Sequence, residues 1–150
     1  MTSDGRTSVA ALTAALEERF PSATAEPWDR VGLIVGDPAA EVAGVLVTLN
    51  ATAEAVDRAV ASGANLLVTH HPPFLEAPTR FLPAPGPAGT VVAALRQGCA
   101  VISLHTNFDR ADDGAAALAF ALGLQVVEPL ESGSEPVALL TAMVPPEFEG

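Results

Sequence analysis

Three histidines and one aspartate are the residues of this sequence best suited to chemistry. His70 and His71 follow the run Leu66-Leu67-Val68-Thr69, His105 follows Val101-Ile102-Ser103-Leu104, and Asp109 stands four residues beyond His105. These are all three of the chain's histidines, and each lies just after an apolar run of strand length. Imidazole and carboxylate together suit zinc, manganese, iron or nickel, and no cysteine stands among them to favour a soft-thiolate site. Adjacent histidines on a regular strand point to opposite faces. Pro72 and Pro73 are expected to end the strand at once, so that a turning backbone aims both rings inward. Two such donors in one pocket can serve two ions about 3.5–4 Å apart. A single histidine at a strand end is more often a satisfied polar residue than a ligand. The equivalent placement of all three favours a metal site here, provided the two strands are neighbours.

Other polar residues carry less. Asp29, in Trp28-Asp29-Arg30-Val31-Gly32, either lines a site or caps a turn. Gly32 and Gly36 read as turn glycines, because they do not open a helix after a strand as a dinucleotide-binding loop must. Ser103 lacks the glycine frame of a nucleophile elbow. Cys99 stands in the apolar run Cys99-Ala100-Val101-Ile102 and reads as a buried structural thiol.

The elements that must position the histidines follow from periodicity. Val9, Leu12, Leu16 and Phe20 recur at helical spacing until Pro21, which predicts a first helix. Ala43 to Leu49 is a near-continuous apolar run, expected to be a strand covered on both faces. Thr52 can cap the next helix, Gly63 can end it, and Leu66 to Thr69 is a short buried strand. Six of the 13 prolines fall between Pro72 and Pro87, which marks a loop. Thr90 to Arg96 reads as a helix with Gly98 after it, and Cys99 to Leu104 as a strand. Gly114 to Leu122 reads as a helix closed by Gly123, with strands at Gln125 to Val127 and Val137 to Val144. Strands alternating with helices indicate an α/β fold with a mostly parallel sheet flanked by helices. Ligands of such sheets gather beyond the carboxyl ends of the strands, where all three histidines fall.

Composition narrows the function classes. A chain of 150 residues, 49% hydrophobic, suits one compact domain. A net charge of −11, with seven scattered arginines and no lysine, opposes a nucleic-acid partner. No apolar stretch approaches the roughly 20 residues needed to span a bilayer. A single cysteine fits a reducing compartment, so a cytoplasmic protein without a membrane partner is expected.

Three segments, taken together, resemble a known family. Trp28-Asp29-Arg30-Val31-Gly32-Leu33, Val68-Thr69-His70-His71-Pro72 and His105-Thr106-Asn107-Phe108-Asp109 occur in this order and at familiar separations. They are similar to the Nif-three-like family, also called GTP cyclohydrolase 1 type 2 homologues or dinuclear metal-centre hexamer proteins. The resemblance covers nearly the whole chain. It implies one lobe of a larger two-lobed fold, with residues 1–150 as an N-terminal α/β metal-binding lobe and 137–150 as the truncated opening of the second half. It also implies two divalent ions, with His70 and His71 as ligands, Asp109 as a bridging carboxylate and His105 beside the site. The family's remaining histidine and glutamate ligands lie far toward the C-terminus of a longer chain, and this sequence has no histidine after His105. Family members often carry aspartate where this chain has Asn50. The function implied is that of a dinuclear, hydrolase-like protein acting on a small nucleotide or phosphoester, by GTP ring opening or phosphoester hydrolysis. A non-catalytic metal storage, delivery or assembly protein is the alternative. The family assembles as ring-shaped hexamers, so the expected partner is a further copy of the chain itself.

Overall fold

The structure is a computed structural model that describes residues 7–125; residues 1–6 and 126–150 fall outside the description. The strand expected at 137–144, all but the first residue of the one at 125–127, and the segment 137–150 therefore lie outside the described residues. The chain divides into two compact units, Met1–Ala115 and Ala116–Gly150.

The first unit opens with helix α1, Val9–Arg19, whose N-terminus is capped by Ser8 Oγ accepting from the Ala11 N–H at 3.1 Å. A single 3-10 turn at Ser22–Thr24 leads to strand β1, Gly32–Val35. Strand β2, Val45–Asn50, is followed by helix α2, Ala53–Ala61, with Thr52 as the expected cap. Strand β3 spans Leu66–His71, and after the proline-rich loop come helix α3, Pro87–Gln97, and strand β4, Ala100–Ser103. Gly98 ends α3 in the left-handed conformation, φ 61°, which a side chain would disfavour. A one-turn helix α4, Thr106–Asp109, precedes helix α5, Asp112–Ala121, which crosses the unit boundary. Within the second unit, Gly123 turns the chain at φ 69° as expected of a helix-ending glycine.

The four strands form one mixed sheet in the order β1-β4-β3-β2. β2 pairs with β3 and β3 with β4 in parallel, and β1 runs antiparallel along β4. The mostly parallel α/β architecture read from the sequence is therefore present. Alternation along the central strands separates two cores. Leu67 and Val101 face α2 and α3 with Val56, Ala59, Val91, Ala94 and Cys99, whereas Leu66, Ala100 and Ile102 face α1 with Val9. Leu66, Leu67 and Ile102 are fully buried, and each such burial contributes roughly 1.5–3 kcal/mol.

Three expectations change. β1 was not expected, since three residues between glycines give no periodicity and this strand forms by pairing with β4. Gly36, which follows it with φ 117°, would place a Cβ 2.6 Å from Ala100 Cβ, so its role is close approach as well as turning. Second, the run Ala43 to Leu49 is not covered on both faces: β2 pairs only with β3 among the described residues, and Val47 is 72% exposed on the side away from α2. Third, β3 does not stop at Thr69 but continues through His70 and His71.

Candidate metal centre

Because β3 and β4 are adjacent and parallel, their carboxyl ends bring His70, His71 and His105 to the same edge of the sheet. One ring nitrogen from each histidine lies within 4.8 Å of the others. The ring centroids of His70 stand 4.9 Å from both His71 and His105, and those of His71 and His105 are 5.5 Å apart. The adjacent pair converges by a different route from the one expected. His70 and His71 occupy successive strand positions and are held by the strands on opposite sides of β3. His70 Nδ1 donates to the Leu104 carbonyl just after β4 at 3.1 Å, and His71 Nδ1 donates to Asn50 Oδ1 at the end of β2 at 2.7 Å. Lateral anchoring aims the rings, with the double proline following as the stop.

His105 is anchored more deeply. Its Nδ1 donates to Asp29 Oδ1 at 2.9 Å, and the Asp29 side chain is fully buried. The same carboxylate accepts from the N–H of Arg30 at 2.6 Å and of Thr106 at 3.0 Å, and from the Thr106 hydroxyl. Burial alone would raise the Asp29 carboxyl; the bonds from the Thr106 hydroxyl, from His105 and from the two backbone N–H groups outweigh it and hold its pKa at about 2, below the ordinary 3.8. Of the two readings open for Asp29 in the sequence, contact with a site histidine and turn bonding are therefore both present in one residue.

Each Nδ1 thus donates to an oxygen acceptor, so each Nε2 carries the lone pair. Asp109 Oδ1 lies 3.6 Å from His70 Nε2, too far for a hydrogen bond. A carboxylate oxygen and an imidazole lone pair at that spacing are both acceptors, and a cation shared between them satisfies both. The donor set therefore fits a divalent ion of the zinc, manganese, iron or nickel type on its chemistry. His70 is three-quarters buried, and Asp109 is half-exposed.

Several residues that the sequence did not single out build the walls. Asn107 is buried, donates Nδ2–H to the Phe20 carbonyl at 2.8 Å and accepts the His105 N–H at 2.9 Å, fixing the loop that carries His105. Thr106 Oγ1 accepts from the Glu26 N–H at 2.9 Å, Arg110 pairs with Glu26 and donates to the Thr24 carbonyl, and Phe108 meets Phe20 edge-on at 5.3 Å. The half-exposed Trp28 ring stands edge-on to His105 at 6.1 Å. Trp28, Thr106, Asn107 and Phe108 stand inside the same short segments as the histidines and Asp29, whereas Thr24, Glu26 and Arg110 carry no local signal.

The chain is similar to known proteins in both sequence and fold. The chain matches the family described as Duf34/NIF3 (NGG1p interacting factor 3) over residues 7–144. It is 44% identical over 117 residues to a Streptomyces coelicolor protein named GTP cyclohydrolase 1 type 2 homolog, covering 77% of this chain and 41% of that one. A Staphylococcus aureus protein of the same name is 32% identical over 143 residues, covering 95% of this chain and 39% of its own. The chain thus spans about two fifths of the length of these curated relatives. Among solved structures, a Staphylococcus aureus hypothetical protein superposes with TM-score 0.74 at 34% identity, over 77% of this chain and 33% of that one. A Bacillus cereus protein related to NIF3 gives TM-score 0.74 at 30% identity, over 80% and 34%. A fold that these neighbours share over only a third of their length is one lobe of a larger one. Matched by the family model over residues 7–144 and sharing its sheet with a solved relative, the chain belongs to the Duf34/NIF3 family.

Proposed function

We propose that this chain is the divalent-metal-binding lobe of a hydrolase-like protein, with His70, His71 and Asp109 as ligands. The observation that carries the reading is the common state of the three imidazoles: every Nδ1 is spent on an oxygen acceptor, which leaves every Nε2 a lone-pair donor, with Asp109 beside that of His70. When bound, a divalent ion supplies Lewis acidity and makes water a stronger acid. The chain's own residues hold that ion, orient its ligands through Asn50, Leu104 and Asp29, and offer the Trp28 ring as an apolar wall at the mouth. The name of the relatives, GTP cyclohydrolase 1 type 2 homolog, supports nucleotide ring opening as the reaction class, and phosphoester hydrolysis is the other reaction open to an ion that activates water. A pair of ions, and a hexamer of chains, complete the proposal; two ions need donors beyond these side chains.

Elemental analysis of the 150-residue chain, before and after reconstitution with each candidate ion, tests the reading. Trp28 is the single tryptophan and the chain has no tyrosine, so its fluorescence reports on the site. Stoichiometric metal, Trp28 quenching by Co2+ and loss of both in His71→Ala are the expected results. A chain that takes up no stoichiometric metal overturns it. Turnover of GTP or a phosphoester that His71→Ala abolishes supports the hydrolase; bound metal without turnover leaves storage or delivery.

A further inference from the structure

The buried partner of His105 points to more than a fold contact. We infer that Asp29 is a positioning residue that holds His105 with its Nε2 turned toward His70 and His71, making His105 a third imidazole donor at the site rather than a neighbour of it. This rests on the metal-binding reading above.

The geometry separates His105 from the other two histidines. His70 is held by a backbone carbonyl and His71 by a neutral amide at an exposed strand end, but His105 is held by an ionised carboxylate with no solvent access. A carboxylate on the far nitrogen fixes the tautomer and raises the basicity of the donating one, and losing such a partner typically costs 10- to 100-fold in metal affinity. Asp29 could not swing away to bind metal itself without giving up all four of its donors: His105, the Thr106 hydroxyl and the N–H groups of Thr106 and Arg30. Those bonds also lock it to the first turn of α4, which starts directly after His105. Asp29 thus fixes the ring and the backbone that carries it. One ring nitrogen of His105 already lies within 4.8 Å of those of its two neighbours. The ring faces the cluster rather than solvent.

Asp29→Asn is the informative substitution. An amide keeps the shape but offers one acceptor where the site needs acceptors on both oxygens. Turned one way it sets an N–H against the Thr106 N–H; turned the other it sets one against His105 Nδ1 and favours the unproductive tautomer. Co2+ affinity by chelator competition is expected to fall 10- to 100-fold. In a His105→Phe background the same Asp29→Asn change is expected to cost much less affinity, because Asp29 acts mainly through the missing ring. A loss that persists undiminished in that background makes Asp29 a fold residue and overturns the inference, as does an unchanged affinity in Asp29→Asn alone. A second measurement needs no variant. With only three histidines, a long-range 1H–15N spectrum resolves every ring. His105 should show a protonated Nδ1 and an Nε2 that shifts on adding Zn2+. If His70 and His71 shift and His105 does not, the inference fails while the metal-binding reading stands. If none shifts, the metal-binding reading fails first.

Discussion

Asn50 Oδ1 stands 2.7 Å from His71 Nδ1, at the register position where the end of β2 faces the end of β3. This contact makes His71 the histidine whose orienting partner is easiest to alter without disturbing the core, since Asn50 is exposed. Asn50→Asp puts a carboxylate on His71 and is expected to tighten Zn2+ by up to about tenfold, whereas Asn50→Leu loosens it by about the same factor. Chelator competition on the two variants measures both, and equal affinities would show that Asn50 does not orient His71.

Asp29 should make the fold acid-sensitive in a defined window. Its pKa is about 2 when folded, against 3.8 ordinarily, so its contribution is present above the higher value and is lost as pH falls through the lower one. The difference corresponds to about 2 kcal/mol. Urea denaturation should show the wild type more stable than Asp29→Asn by about that amount near neutral pH, and the gap should close as pH drops from about 4 toward 2.

Gly36→Ala should destabilise strongly. The added Cβ meets Ala100 Cβ at 2.6 Å and Ala100 Cα at 2.7 Å, and the backbone is held at φ 117°. Neither contact is the end of a flexible side chain, so β1 must move off β4. A loss of about 2 kcal/mol or more is expected from the strain and the clash. Thermal unfolding of the variant checks it.

Cys99 should be inert while the chain is folded. Its side chain is fully buried between α3 and the sheet, and that burial pushes the thiol above its ordinary value despite a hydrogen bond from the Leu67 backbone. Ellman's reagent is expected to react with it only in denaturant, and rapid labelling under native conditions would contradict the packing described here.

Much of the fold was legible because it rests on local patterns. The alternation of apolar runs with capped helices announced the parallel β2-β3-β4 core, and Thr52, Gly98 and Gly123 mark helix ends where turn chemistry says they should. What stayed hidden depends on partners far along the chain. An apolar run such as Val45 to Leu49 looks the same whether it is central or at an edge, and only the strand order shows that Val47 is bare. β1 needs β4 in order to exist as a strand. Asp29 is an ordinary exposed residue type, and nothing local distinguishes it from a turn cap until His105 and Thr106 are seen around it. The histidines were legible as a group because their shared position after strands is a topological signal, but how each ring is aimed was not.

Asp29 and His105 are 76 residues apart, and Asn107 reaches back 87 residues to Phe20. Closing loops of that length costs conformational entropy, so these bonds are expected to form after the local helices and turns. As the chain leaves the ribosome, His70 and His71 emerge well before His105 and cannot be joined by it until residues near 110 are free. The three-histidine cluster therefore comes together only once the loop after β4 is in place, and a chain that stops short of residue 105 carries two of its three imidazoles.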